Sequence, residues 1–221
     1  MSKQFWIVIA VIVLAFAGVA VFSGNKSDKK VSSTTKPTSH IEGPADAKVT
    51  LVEYGDYQCP YCLQYFPTLQ QVTSTYKDKI KFQFRNFPLT SIHQNAFAAA
   101  RAAEAADKQG KFWEMHDLLY ESRTWVNDTS PSDQFLLLAQ TLKLDTTKFQ
   151  ADYKGASVND LINADLAAGD KLGITGTPTF FVNGKQVDIG NSTDSFKQVI
   201  DAELTKQGVS TTTTTSATPA Q

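Results

Sequence analysis

The only two cysteines of the 221-residue chain, Cys59 and Cys62, stand three positions apart where a strand gives way to a helix. No other feature limits the fold as strongly. Upstream, residues 49–54 form a short β-prone run ending at Gly55, apolar on both faces apart from Glu53, as suits a central buried strand. Downstream, Pro60 suits the first position of a helix over residues 59–76, with Pro67 as a kink. Ile80, Phe82 and Phe84 then alternate with Lys81, Gln83 and Arg85, the pattern of a half-buried strand. Strand, helix, strand is normally a right-handed parallel crossover.

A long helical stretch follows, over about residues 91–173. Residues 95–108 are alanine-rich and stop near Gly110, and residues 112–121 continue with apolar positions at helical spacing. Ser130, Pro131 and Asp133 resemble a capping box that opens a helix through Leu142, and Ser157 with Asp160 repeats the signal for a helix ending near Gly173. Residues 179–182 and 185–189, separated by Asn183-Gly184, predict a β-hairpin with a two-residue turn, and residues 195–206 an amphipathic closing helix. The expected order is therefore βαβ, a helical insertion, then ββα, an α/β fold over about residues 43–208.

The ends are different in character. Residues 5–22 carry no charge and, at about 1.5 Å per residue, would reach about 27 Å as a helix, the short end of a bilayer core. Residues 1–24 are expected to be a signal peptide or a membrane anchor, residues 25–42 a polar flexible tether, and residues 209–221 a Thr-rich tail. Lys26, Lys29, Lys30 and Lys36 beyond the apolar run favour a cytoplasmic domain by charge alone. An N-terminal apolar segment ahead of a long folded domain is, however, the usual form of an export signal, and places the domain on the extracytoplasmic side of the cell membrane. With 21 basic against 22 acidic residues, no field exists to attract nucleic acid.

What the thiols do follows from their position. Unpaired N–H groups and the positive dipole end at a helix start favour the Cys59 thiolate, while Cys62, one turn in, should be buried and less ionised. Such a pair exchanges disulfides through a mixed disulfide on an exposed Cys59. A structural bridge closing a loop of four residues would add only about 2 kcal/mol in the chain-entropy model. A zinc site needs two further ligands, and His40, His93 and His116 lack ligand spacing. His93, His116, Trp113 and Trp125 read as packing or surface residues, and no metal or organic cofactor is implied.

The stretch Glu53-Tyr54-Gly55-Asp56-Tyr57-Gln58-Cys59-Pro60-Tyr61-Cys62, with Gly176-Thr177-Pro178-Thr179-Phe180-Phe181-Val182-Asn183-Gly184 after the insertion, resembles the DsbA-like thiol:disulfide oxidoreductases of the thioredoxin superfamily. The resemblance implies a thioredoxin-like fold with a helical insertion. It also implies that Pro178 is a cis-proline beside the cysteines, that Thr177 presents its backbone to a substrate strand, and that Glu53 takes part in proton transfer to and from Cys62. Tyr61 departs from the histidine of the most strongly oxidising members, and Cys-Pro-Tyr-Cys is also the glutaredoxin motif, which leaves the redox poise open. The implied activity is donation of disulfides to thiol-containing exported proteins, with a membrane partner reoxidising the pair. The alternatives are a reductase or isomerase, which an inward-facing domain would favour, and a surface-tethered peptide-binding module without turnover.

Overall fold

The computed structural model describes residues 35–211. A five-stranded sheet runs in the order β1-β3-β2-β4-β5, built from β1 (His40–Glu42), β2 (Val49–Gly55), β3 (Ile80–Asn86), β4 (Thr179–Val182) and β5 (Lys185–Val187). Only β2 and β3 are parallel, joined by α1 (Pro60–Tyr76) as the expected crossover; the other pairings are antiparallel. As the central strand β2 is covered on both faces, which explains its apolar run. Glu53 is the exception, in register with Phe84 on one side and Phe180 on the other.

The insertion comprises α2 (Ala96–Asp107), α3 (Phe112–Glu121), α4 (Ser132–Thr141), α5 (Thr146–Lys154) and α6 (Ala156–Lys171), and α7 (Thr193–Lys206) closes the chain. Ala99, Ala100, Ala102, Ala103, Ala105 and Ala106 of α2 are all buried, since small side chains let this helix pack on several neighbours at once. One core cluster joins these alanines to Tyr57, Phe84, Phe112 and Trp125 on the insertion side. A second joins Leu51, Phe82 and Phe180 to Leu69 and Val72 of α1 and Phe196 and Ile200 of α7. The two clusters sit side by side on one face of the sheet, with Phe84 of β3 in the first, Phe82 in the second and Trp113 packed against both.

The hairpin forms as read, with Asn183 and Gly184 at φ 48 and φ 80, the positive pair of a type I′ turn. The Asn183 side chain ties the turn down, accepting from the Thr50 N–H at 2.8 Å. Both proposed capping boxes are absent. Ser130 instead donates its N–H to Asp128 Oδ1 at 2.9 Å, leaving Pro131 to precede α4 without a side-chain cap, and α6 starts at Ala156, before Ser157 could cap it. Helix α5 was not expected; Asp145 caps it by accepting from the Lys148 N–H at 2.9 Å.

The tether boundary also moves. His40 to Glu42, read as tether, form the edge strand β1, because the buried carboxylate of Asp165 captures the Thr38 N–H at 2.8 Å and hydroxyl at 2.6 Å. The apolar run of residues 5–22 lies outside the described residues, as does the tail beyond residue 211; among the described residues no helix is long and apolar enough to cross a membrane.

Candidate active site

Helix α1 opens at Pro60, whose missing N–H costs nothing at the first helical position, and Cys59 occupies the cap position in extended backbone. Both thiols are free. Cys62 is buried, and its sulfur accepts from the Asp56 N–H at 3.5 Å. Cys59 is not exposed as expected but only 3% accessible. The reason is the loop before β4, where the Thr177–Pro178 peptide is cis and the Cys59 thiol donates to the Thr177 carbonyl at 3.3 Å. The structure thus brings Cys59, Cys62, Thr177 and Pro178 into one place. Tyr61, 65% exposed, faces solvent beside them and lines an open groove with Tyr65, Thr177, Pro178 and Phe180.

The two sulfurs are driven apart in acidity. A hydrogen bond from the Cys62 thiol is the main influence that lowers Cys59 to about 5, with help from Thr177 and the first-turn amides of Cys62 and Tyr61, against the opposing effect of burial. Burial pushes Cys62 well above the usual thiol range, reinforced by its bond to Cys59 and by the Glu53 charge. Glu53, 2% exposed, is raised to about 8, first by burial and then by the nearby Cys59 charge. At neutral pH the arrangement holds an ionised outer sulfur, a protonated inner sulfur and a largely protonated carboxyl. The carboxyl and Cys62 line a common cavity of about 30 Å³.

Other residues shape the motif without having been singled out. The buried Asp56 carboxylate accepts from the Gln58 N–H at 2.7 Å, the Leu89 N–H at 2.9 Å and His93 Nδ1 at 2.7 Å, which fixes the loop whose own N–H meets Cys62. Arg123 donates to the carbonyls of Tyr57 and Gln58 and lies over the Trp125 ring, 5.3 Å from its centroid. Asp56 stands inside the cysteine motif and was visible as a charge in a buried stretch. Arg123, 61 residues beyond Cys62 and in no motif, gave no signal.

The thioredoxin family model matches residues 35–202. This chain belongs to the thioredoxin family. Within it the chain is DsbA-like: a thioredoxin-like oxidoreductase from Silicibacter pomeroyi DSS-3 superposes with TM-score 0.66 at 28% identity, covering 77% of this chain and 94% of that one. BdbD from Bacillus subtilis, in its oxidised form, gives TM-score 0.65 at 27% identity over 77% of this chain and 96% of its own. Alpha-DsbA1 from Wolbachia pipientis shares the fold, with TM-score 0.67 at 24% identity over 78% and 94% of the two chains. A protein of Salinispora tropica named Na(+)/H(+) antiporter NhaA 3 is 43% identical over 150 residues, 66% of this chain. The thioredoxin-family chain spans only 22% of that relative's length, so the antiporter name describes a much longer protein.

Proposed function

We propose that this DsbA-like oxidoreductase acts outside the cytoplasm, held to the membrane or exported by its N-terminal segment, and donates disulfides to thiol-containing exported proteins. A substrate thiolate attacks Cys59 Sγ of the oxidised pair, the Cys59–Cys62 bond breaks, and its electron pair leaves on Cys62 Sγ, which takes a proton from Glu53. A second substrate thiol, as the thiolate, then attacks the substrate sulfur of the mixed disulfide and expels Cys59 as a thiolate. The substrate gains one disulfide and loses two electrons; the enzyme pair is reduced by the same two. A membrane redox partner restores the bond. The open groove beside Thr177 and Pro178 would hold the substrate chain in extended form, with the Thr177 backbone as its pairing edge.

The observation that carries this reading is the placement of Cys59 at the start of α1 beside the Cys62 thiol and the Thr177 loop, surroundings that lower its pKa to about 5. A stable thiolate is a good leaving group and favours the reduced form, which makes the pair an oxidant. The test is the equilibrium of the Cys59–Cys62 couple with glutathione. A potential well above the roughly −270 mV of thioredoxin supports donation, whereas a value near it, with Cys59 titrating near 8.5, sinks it. The redox state in cells separates the reductase reading: a donor is recovered mostly oxidised, a reductase mostly reduced. Protease access to the domain on intact cells tests the outward orientation.

A further inference from the structure

Glu53 has no direct way out. It is buried in the middle of the central strand, and at neutral pH it already carries a proton. To accept the proton of Cys62 it must first lose its own, and after giving a proton to Cys62 it must draw a new one from solvent. The cavity it shares with Cys62 also touches His116, Tyr120, Gln70 and Asp117. At about 30 Å³ it exceeds the roughly 10–15 Å³ that one water requires. Gln70 is exposed and bonds Asp117 Oδ2 at 3.4 Å, and the Asp117 side chain is 42% exposed, so this end of the cavity reaches the surface.

His116 stands between the two ends. Its Nδ1 lies 2.9 Å from Asp117 Oδ1. An ionised carboxylate can only accept, so Nδ1 carries the hydrogen and, in the neutral ring, Nε2 keeps a bare lone pair. That Nε2 is fully buried and has no hydrogen-bond partner in the protein among the described residues. A buried nitrogen without a partner costs free energy, and packing alone does not require one, since six aromatic neighbours would hold a phenylalanine as well.

We propose that His116 and Asp117 form the proton exit of the active site, passing protons between Glu53 and solvent by way of one water in the shared cavity. The proposal rests on the proton-transfer reading of Glu53 given above. When the reduced pair is reoxidised and Cys62 must lose its proton, the Glu53 carboxyl gives its proton through the water to His116 Nε2, the imidazolium is held by the Asp117 carboxylate, and the Nδ1 proton leaves to solvent at Asp117. The ring is left neutral with its hydrogen on Nε2 and Glu53 is left as the base for Cys62; proton uptake by the reverse route, solvent to Nδ1 and Nε2 to Glu53, restores the Nδ1–H form.

The surroundings favour a ring that gives up its proton readily. Burial lowers the His116 pKa, opposed by Asp117 and assisted by the positive His40 across Phe112. Tyr57 and Tyr120, which face the ring from the motif and from α3, are held well above the usual phenol range and exchange no proton near neutrality. Glu42 and Glu114 approach Asp117 from β1 and α3. His116 is thus a positioning residue for protons and touches no substrate.

The test uses the mixed disulfide of Cys59 with 2-nitro-5-thiobenzoate, from which Cys62 expels the coloured thiolate once it has lost its proton. Release is followed from pH 5 to 9 in the full chain and in Glu53→Gln, His116→Phe and Asp117→Asn. His116→Phe should slow release at pH 7 by at least about tenfold, within the range of general acid–base effects, and Asp117→Asn by less, while both leave the equilibrium with glutathione within about threefold of the parent. That constancy separates a proton path from a packing role. Parent-like release in either folded variant, or a larger shift in the equilibrium, overturns the proposal; if His116→Phe does not fold, the surface substitution Asp117→Asn decides alone. Slow release in Glu53→Gln with parent-like His116→Phe and Asp117→Asn would remove the exit but keep the Glu53 reading, whereas parent-like release in all three removes both.

Discussion

The thiol of Cys59 reaches across 118 residues of sequence to donate to the carbonyl of Thr177 at 3.3 Å. Yet a carbonyl cannot stabilise the thiolate, since it only accepts. The donor that lowers Cys59 most is the Cys62 thiol, one helical turn away. Cys62→Ala removes that donor and should raise the Cys59 midpoint from about 5 by one unit or more, read as thiolate absorbance near 240 nm; an unchanged midpoint would assign the effect to the helix start instead.

The same thiolate makes the stability of the two redox forms diverge with pH. Cys59 is depressed from 9.0 to about 5 on folding, so its contribution to the reduced form is complete above about pH 9 and is lost as pH falls through 5. The oxidised form has no thiol there to titrate. Glu53 works in the opposite sense, its stabilisation present below 4.5 and lost as pH rises through about 8, and the Cys59 charge makes that loss larger in the reduced form. Denaturant unfolding should therefore show the reduced protein gaining on the oxidised one between about pH 5 and pH 9, less steeply near pH 8 where Glu53 opposes it. A gap independent of pH in that window would contradict the Cys59 assignment.

Glu53→Gln keeps the shape of the side chain and removes the charge. Because the carboxyl is raised by burial, its ionisation above pH 8 costs the folded state, on the order of a few kcal/mol at about 1.4 kcal/mol per tenfold in proton affinity. The variant should match the parent at pH 4 and exceed it at pH 9 in urea unfolding of the oxidised protein. Equal stability at both pH values would mean that the carboxyl is solvated in solution.

Much of this site could be read from local sequence because its chemistry is local: Cys59, Pro60 and Cys62 lie on one turn, and Glu53 interrupts an apolar run. The hairpin was equally plain, since Asn183-Gly184 is among the few pairs suited to two positive φ angles. What escaped depends on distant partners. Thr38 and His40 sit in a polar stretch typical of a tether, and the partners that bury them, Asp165 for the first and Glu104, Asp107 and Phe112 for the second, lie far along the chain. His116 packs among aromatic rings as read, and only its place in one cavity with Glu53 and Cys62, which come from other elements, was beyond local sequence. Helix α5 escaped because its cap, Asp145, lies between the helix read through Leu142 and the signal at Ser157, while Ser130 and Ser157 offered stronger-looking caps that the structure does not use.

Asp165 offers a direct measure of that hidden anchor. Fully buried, it accepts from the Thr38 N–H and hydroxyl, the Asn86 N–H at 3.0 Å and Arg85 at 3.1 Å. Asp165→Ala leaves these donors and a partly buried guanidinium without their acceptor, a loss of about 3–5 kcal/mol for a broken buried pair. Urea midpoints should fall accordingly, with hydrogen exchange at residues 38–42 rising to near that of an unfolded chain. A loss below about 1 kcal/mol would show that β1 is held by its pairing with β3 alone.

Gly55 is where backbone and chemistry press closest. It ends β2 just before the motif, and a Cβ there would lie 2.4 Å and 2.8 Å from two atoms of the Phe84 ring and 3.2 Å from Glu53 Oε1. The Phe84 ring is fully buried against Tyr57 and Phe112, so it has little room to retreat. Relief must come from the strand end or from the Glu53 carboxyl, and either disturbs the cavity shared with Cys62. Gly55→Ala should cost about 1–3 kcal/mol, the usual penalty for overpacking, and slow the expulsion of a leaving thiolate by Cys62, since that step depends on the same carboxyl. Stability loss at full exchange rate would confine the damage to Phe84 and show that Glu53 keeps its place.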